Sequence, residues 1–240
     1  MFKIFPTIYF YSNLFFLIFK AYFKLIFKKF FWQDFVKYSK KVLEIIKNFE
    51  TKVIIEENNE LLKISYPVIF ISNHMSSLET LLFGYILGRY TKITFILKKS
   101  LLYYPIFGKI LKFLDPIAVS RNNPRKDFRL VLKKYEILYK NKVSLVVFPQ
   151  ATRSLNIEDN KFSSIGIKIA KIFNIGIVPI FVKTDFLSIG KIIKDIGIVN
   201  TKKNVYIKIF PYIPAEKINK NTNQQIVEIL KKELAKYNFI

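Results

Sequence analysis

The sequence predicts an α/β domain, in which one β-sheet is flanked by helices. Three observations lead to this prediction. The 240 residues are enough for one substantial core, short apolar runs recur along the chain, and amphipathic helical patterns separate these runs. The predicted strands cover residues 67–72, 93–97, 117–119, 143–148, 177–182 and 205–210, and the predicted helices cover residues 76–87, 105–114, 124–140, 163–173 and 223–236. We divide the chain into a helical segment, residues 1–50, and a globular domain, residues 51–240.

The globular domain begins with a pattern that predicts a β-hairpin. Two apolar runs, at residues 53–55 and 61–64, flank the polar group Glu57-Asn58-Asn59, which is typical of a turn. We therefore expect these two short segments to pair with each other as adjacent strands.

The N-terminal segment is apolar, aromatic and basic. Residues 4–19 carry no charge, and Lys20, Lys24 and Lys28 follow at a spacing of four, on one face of a helix. The uncharged stretch is shorter than the ~20 residues that a transmembrane helix needs, and no signal-peptide cleavage site follows it. We expect an in-plane or re-entrant membrane anchor whose lysines reach the headgroups; the alternative is a helix packed on the domain. Residues 33–49 continue as an amphipathic helix.

Cysteine and histidine are scarce, which excludes several kinds of chemistry. The chain has no cysteine, so disulfides, thiolate nucleophiles and cysteine-bound metals are excluded, and a reducing compartment is indicated. A single histidine argues against a zinc or iron site, and the sequence shows no acidic cluster for magnesium or calcium. We therefore expect no metal and no cofactor.

The net charge is strongly positive although the chain is very apolar. Lysine and arginine number 40 against 17 acidic residues, while 51% of the residues are hydrophobic. Nucleic-acid-binding proteins of such charge are usually more polar, so this combination favours an anionic membrane surface. A coding bias toward lysine is an alternative explanation, but it does not explain the shortage of acidic residues. We expect a monotopic or peripheral protein on the cytoplasmic face of the inner or plasma membrane.

The single histidine, His74, stands between a predicted strand and a predicted helix. It lies at the carboxyl end of the strand, where α/β proteins bind ligands. In a continuous helix, His74 and Glu79 would point about 140° apart. With His74 in the turn and Glu79 in the first helical turn, the carboxylate can orient one ring nitrogen and leave the other as a base. The alternative is that Glu79 forms a capping box with Ser76 and only caps the helix.

Two further strand ends carry an arginine. Arg153 and Thr152 follow the strand at 143–148 and are placed to hold a phosphate. Arg121 follows the strand at 117–119, near a helix N-terminus that favours anions. The alternatives are a solvated surface turn for Arg153 and, for the helical residues Arg125 and Arg129, a solvated basic helix face.

Together these segments resemble the lysophosphatidic acid acyltransferase (1-acylglycerol-3-phosphate O-acyltransferase) family of glycerolipid acyltransferases. The family's Asn-His-x4-Asp motif is matched by Asn73-His74-x4-Glu79, and its strand-end arginine by Arg121. Its Phe-Pro-Glu-Gly-Thr-Arg-Ser motif is matched by residues 148–154, which read Phe-Pro-Gln-Ala-Thr-Arg-Ser.

The resemblance covers about residues 66–183, since residues 178–180 match the family's Val-Pro-Ile-type strand. The chain departs from the family pattern at three positions. Glu79 replaces aspartate and keeps the carboxylate, while Gln150 and Ala151 replace glutamate and glycine.

The resemblance implies a mixed, largely parallel central sheet flanked by helices, with N-terminal amphipathic membrane-binding helices before an acyltransferase domain. The implied reaction moves a fatty acyl group from acyl-CoA or acyl-carrier protein to a lysophospholipid hydroxyl, first of all that of 1-acylglycerol-3-phosphate, in phospholipid biosynthesis. The implied catalytic residues are His74 and Glu79. The implied substrate-binding residues are Arg121, Gln150, Thr152 and Arg153. The implied partners are the lipid acceptor, the acyl donor and an anionic membrane surface, and no nucleic acid.

Two alternatives stay open for the function. The acceptor can be another lysolipid, an aminolipid or glycerol-3-phosphate. The chain can also be a non-catalytic membrane lipid-binding protein, a reading that the departures at Glu79, Gln150 and Ala151 support.

Overall fold

A computed structural model describes residues 4–190 and 194–237. Its strands are β1 (Val53–Glu56), β2 (Ile69–Ser72), β3 (Ile93–Lys98), β4 (Ile117–Val119), β5 (Ser144–Val147), β6 (Ile177–Lys183) and β7 (Val205–Ile209). Its helices are α1 (Ile4–Ile26), α2 (Trp32–Lys47), α3 (Leu78–Ile86), α4 (Phe107–Phe113), α5 (Pro124–Lys140), α6 (Ile165–Phe173) and α7 (Thr222–Tyr237).

The described strands form one sheet in the order β1-β7-β6-β2-β5-β3-β4. Neighbouring strands run parallel except β6 and β7, which are antiparallel. The fold class is therefore the predicted one, a mixed and largely parallel sheet flanked by helices. Because β6, β2, β5, β3 and β4 share one direction, their carboxyl ends meet along a single edge of the sheet.

The central strands are buried along their whole length. Every residue of β2, β5 and β6 is inaccessible to solvent or nearly so, which requires the continuous apolar runs from which these strands were predicted. Helix α5 has the predicted bounds, because Pro124 fits the first turn and the Asn123 side chain caps the Lys126 N–H at 3.0 Å. The predicted ends of the other elements lie within two residues of the observed ones.

The predicted hairpin at the start of the domain is wrong. β1 pairs in parallel with β7, in the register Val53 to Val205, and the second apolar run forms a 3₁₀ helix, Asn59–Lys63. Its Leu61 is 1% exposed and packs into the core. The local pattern identified a strand but not its partner, because that partner lies about 150 residues further along the chain.

The two N-terminal helices pack against the domain with one face each. Phe10, on α1, is fully buried and joins the main core, as do the α2 residues Val42 and Ile46. Helix α2 lies close to α3 at Gly84, where an added Cβ would come within 2.8 Å of the Ser39 side chain. Both helices therefore have a face that is buried against the domain.

The opposite face of α1 and the turn after it are exposed and aromatic. The exposed apolar residues here are Phe5, Ile8, Phe15, Phe16, Phe19, Phe23, Ile26, Phe27 and Phe31. Across residues 4–190 and 194–237, no helix combines the length and the apolar character that crossing a bilayer requires.

Candidate active site

The turn between β2 and α3 carries His74, and the preceding residue fixes this turn to the sheet. Asn73 Nδ2 donates to the Val182 carbonyl and Asn73 Oδ1 accepts from the Val182 N–H, both at 2.8 Å. Asn73 is 1% exposed, so the two bonds satisfy a buried amide and extend the ladder between β2 and β6. The asparagine of the motif thus has a structural function that the sequence alone did not reveal.

His74 and Glu79 form a direct pair. His74 Nδ1 lies 2.7 Å from Glu79 Oε1, with the histidine in the turn and the glutamate in the first turn of α3. The glutamate is completely buried. This is the arrangement that a histidine base oriented by a carboxylate requires.

The Glu79 carboxylate also binds the groups at the start of α3, as the capping alternative expected. Its Oε1 accepts from the Met75 and Ser76 N–H groups at 2.8 and 3.0 Å. Its Oε2 accepts from the Thr184 hydroxyl at 2.6 Å and from the Ser76 hydroxyl at 3.1 Å. The Glu79 side chain therefore both caps the helix and pairs with His74. The hydrogen bonds from two N–H groups and two hydroxyls fix the orientation of its carboxylate.

These contacts keep Glu79 charged. Burial acts to raise the pKa of Glu79, but the hydrogen bond and charge of His74 and the hydrogen bond from Thr184 outweigh it, so that this pKa lies below its ordinary value of 4.5. A charged carboxylate at Nδ1 holds the proton of the neutral imidazole on that nitrogen. It also stabilises the imidazolium that forms when Nε2 takes up a proton.

The second ring nitrogen of His74, Nε2, is not used in the contact with Glu79. The imidazole stacks on Phe148, with ring centroids 4.2 Å apart and planes inclined by 22°, and Phe148 lies nearly parallel to Phe83 and Phe95. The His74 side chain is 13% exposed, and within the described residues Nε2 has no hydrogen-bond partner. With the Nδ1 proton directed to Glu79, Nε2 carries the lone pair that can act as a base.

The turn of the third motif lies directly against the histidine. The Ser154 N–H donates to the His74 carbonyl at 2.8 Å. Gln150 is 6% exposed and its Nε2 donates to the Asn156 carbonyl at 3.0 Å, so in this conformation Gln150 supports the loop. Its predicted contact with an acceptor stays a prediction. Ala151, where the family has glycine, has φ 58°, in the left-handed region that glycine adopts without strain.

Arg153 lies close to the histidine turn but is already bound within the protein. Its Nη1 donates to the Lys194 carbonyl at 2.8 Å, and its Nη2 forms an ion pair with Asp195. Its Nε is buried and has no partner among the described residues. Thr152, beside it, is exposed. The Arg153 guanidinium thus lies after the end of β5, as predicted, and its anionic partner is the carboxylate of Asp195.

Arg121 is held by the start of α5 and is near enough to Arg153 to be influenced by its charge. The Arg121 N–H donates to Asp127 at 2.7 Å, and the Ser120 N–H donates to the same carboxylate at 3.1 Å. Partial desolvation and then the charge of Arg153 lower the pKa of Arg121, against the opposing effect of Asp127. Two guanidinium groups in one neighbourhood favour an anion there. Arg125 and Arg129 are exposed, as expected of a solvated helix face.

Several residues of the site were missed by the sequence reasoning. Thr184 follows β6 at the same sheet edge, and a polar residue at a strand end was a signal that could have revealed it. Asp127 carried the weaker signal of an acidic residue in a helix's first turn. Asp195 lies in an irregular segment without a local pattern, and only the tertiary structure reveals its contact with Arg153.

In the described part of the chain, no group of acidic residues and histidine is arranged to hold a metal ion.

Comparison with protein families and sequences gives matches over the centre of the chain. A family model described as Acyltransferase matches residues 52–183. The chain is 31% identical over 114 residues to a 1-acyl-sn-glycerol-3-phosphate acyltransferase of Pseudomonas aeruginosa, a match that covers 48% of this chain and 43% of the relative. It is 33% identical over 117 residues to a protein of the same name from Saccharomyces cerevisiae, covering 49% and 37%. The chain therefore matches less than half of the length of each of these two relatives.

Comparison with solved structures gives a match over nearly the whole chain. The crystal structure of the 1-acyl-sn-glycerophosphate (LPA) acyltransferase PlsC from Thermotoga maritima aligns with a TM-score of 0.70 at 22% sequence identity. The alignment covers 98% of this chain and 96% of that one. At this level of identity, the likeness concerns the fold.

Proposed function

The chain belongs to the Acyltransferase family, and we propose that it transfers a fatty acyl group from a thioester donor to the hydroxyl of a lysophospholipid, with 1-acylglycerol-3-phosphate as the acceptor. The observation that carries this proposal is the buried His74–Glu79 pair, which stands beside a turn that carries Arg153. A base next to cationic groups suits an acceptor that has both a hydroxyl and a phosphate. Both sequence relatives are named as acyltransferases of the same acceptor, which supports this assignment.

In the proposed reaction, His74 Nε2 removes the proton from the acceptor hydroxyl, and the oxygen attacks the thioester carbonyl of the donor. The tetrahedral intermediate then collapses with cleavage of the C–S bond, and the imidazolium returns the proton to the leaving thiolate. The acceptor has exchanged its proton for the acyl group, and the histidine is neutral again. No covalent enzyme intermediate is required, which suits a chain without cysteine. The proposed donors are acyl-CoA and acyl-carrier protein.

We assign the acceptor phosphate to the basic side of the site. Arg121 and Arg153 supply the charge, and we assign a further donor to the hydroxyl of Thr152, which donates at 3.4 Å to the Gln150 carbonyl and would turn to the phosphate. Arginine suits this task because its planar group can form two parallel hydrogen bonds to a phosphate. Binding the phosphate there would bring the acceptor hydroxyl toward His74.

We further propose that residues 1–50 associate with an anionic membrane surface, so that the domain formed by residues 51–240 faces its lipid acceptor. The exposed face of α1 combines large apolar groups with lysines, and Lys20 Nζ lies 4.1 Å from the ring centroid of Phe16. Lysines next to exposed aromatic residues are typical of helices that lie in the headgroup region. The net charge of +23 adds a general attraction to anionic lipid.

Mass spectrometry of the products tests the proposed function. The purified 240-residue chain, in anionic phospholipid vesicles, is offered acyl-CoA and acyl-carrier protein against lysophosphatidate, other lysophospholipids and glycerol-3-phosphate. We expect lysophosphatidate to gain one acyl group and the donor to release its thiol. Vesicle binding without transfer to any acceptor would instead indicate a non-catalytic lipid-binding protein.

A further inference from the structure

Asp195 connects three parts of the candidate site. Its carboxylate forms the ion pair with Arg153, and the same carboxylate accepts from the Tyr104 hydroxyl at 3.1 Å. Its carbonyl accepts from the Ser77 hydroxyl at 3.3 Å, two residues before Glu79. Asp195 is therefore fixed between the turn of the third motif, the start of α3 and the segment before α4.

The segment after Asp195 is attached to the N-terminal helix. The Tyr11 hydroxyl donates to the Gly197 carbonyl at 3.0 Å, and the Val199 N–H donates to the Thr7 hydroxyl at 3.1 Å. Asp195 thus lies between α1, the helix proposed to meet the membrane, and the turn that carries His74.

Part of the donor capacity of Arg153 is already used within the protein. The Lys194 carbonyl accepts from Nη1, the Asp195 carboxylate accepts from Nη2, and Nε is buried without a partner among the described residues. The Arg153 side chain is 17% exposed, and that of Asp195 is 26% exposed. A phosphate that binds the Nη2 N–H now directed to Asp195 must therefore replace the carboxylate.

We propose that Asp195 determines the affinity for the acceptor: its carboxylate occupies the phosphate position on Arg153 in the empty enzyme, and the phosphate of the lysophospholipid displaces it. The proposal rests on the proposed function. A carboxylate and a phosphate offer a guanidinium the same pair of acceptor oxygens, so one can take the place of the other. When no lipid is bound, the carboxylate also provides the largely buried guanidinium with a partner of opposite charge.

Steady-state kinetics of the variant Asp195→Asn test the displacement. Because the amide removes the competing charge, we expect the KM for lysophosphatidate to fall about 3- to 10-fold, the scale of a partly buried ion pair, with a larger effect on KM than on kcat. Arg153→Ala should raise this KM, and in the double variant Asp195→Asn should no longer lower it. The matched control is Asp115→Asn, which removes a carboxylate paired with Lys134 at the opposite end of β4 and should leave KM unchanged.

Either of two results for the KM of Asp195→Asn would overturn the proposal. A KM that rises in Asp195→Asn as it does in Arg153→Ala would show that Asp195 positions the arginine for the lipid. An unchanged KM would show that the ion pair is structural. If Asp195→Asn is not stable enough for kinetics, the variant Tyr104→Phe is used instead. It removes a hydrogen bond that holds the Asp195 carboxylate in place, so it should also lower the KM, by a smaller factor.

A binding measurement with inorganic phosphate separates this inference from the proposed function. Phosphate should raise the melting temperature of Asp195→Asn at lower concentrations than it needs for the unaltered protein, and Arg153→Ala should lose this response. Both results can be obtained even if no acyl transfer is found. Equal phosphate responses in the unaltered protein and in Asp195→Asn would refute displacement, whatever reaction the protein catalyses.

Discussion

Glu79 serves both the helix that begins beside it and the histidine that it pairs with. Its two oxygens accept from two backbone N–H groups, two hydroxyls and the His74 ring, all inside the protein. A buried carboxylate is stabilised only when its lone pairs are satisfied in this way. The longer glutamate, where the family pattern has aspartate, therefore fits its surroundings without an unpaired oxygen.

The variant Glu79→Gln should lower kcat at least ~100-fold, because the neutral amide no longer stabilises the imidazolium or fixes its tautomer. Glu79→Asp keeps the charge and should retain more activity. Kinetics with lysophosphatidate, with circular dichroism to verify folding, provide the measurement. Equal losses in the two variants would point to packing and not to the charge.

The lowered pKa of Glu79 predicts a pH dependence of stability. A carboxyl group whose pKa is lower in the folded protein contributes stability above its ordinary value of 4.5, and this contribution is lost as the pH falls through the lowered value. The melting temperature of the unaltered protein minus that of Glu79→Gln should therefore shrink as the pH falls below 4.5. A difference that stays constant over this range would contradict the assignment.

Ala151 adopts a backbone conformation that favours glycine, with φ 58°. Ala151→Gly should therefore raise the unfolding free energy by about 0.5–1 kcal/mol, because the strain on the Cβ atom is removed. The control is Ala235→Gly, an exposed position inside α7, where the same change should destabilise by about 1 kcal/mol. Chemical denaturation measures both, and a loss of stability in Ala151→Gly would show that the turn does not strain alanine.

At the scale of elements, the sequence predicted the helices and strands whose ends are determined by neighbouring residues in the chain. Helix α5 has its cap at Asn123 and a proline in its first turn, so its bounds follow from neighbouring residues. The partner of β1 depends on β7, far along the chain, and the predicted hairpin failed for that reason. The same distinction applies to the site, since His74 and Glu79 are five residues apart whereas Arg153 and Asp195 are 42 apart.

Helix α1 should bind membranes through its exposed aromatic face. Deleting the helix would also remove the buried Phe10, so the sharper change is Phe15→Ser, Phe19→Ser and Phe23→Ser together, all at exposed positions. We expect the affinity for anionic vesicles to fall at least about tenfold in sedimentation. Serine at the exposed residues Leu62, Ile137 and Ile172 is the matched control. Equal losses in both triple variants would argue against a specific role of α1.

At the scale of the whole molecule, one sheet edge assembles residues from separate parts of the chain. β2 leads to His74, β4 to Arg121, β5 to the turn with Arg153, and β6 to Thr184. Parallel strands place these ends side by side, which is why motifs more than 40 residues apart in the sequence can form one site. The helices at the N-terminus pack on the same domain, so the site and the proposed membrane face belong to one folded unit.

The most direct measurement compares acyl transfer to lysophosphatidate by the unaltered protein and by His74→Ala, in the same vesicles and with the same donor. We predict that the unaltered protein forms the diacyl product and that the variant, with an unchanged circular dichroism spectrum and unchanged vesicle binding, forms it at least ~100-fold more slowly. Near-normal product formation by the folded variant would contradict the assignment of His74 as the base.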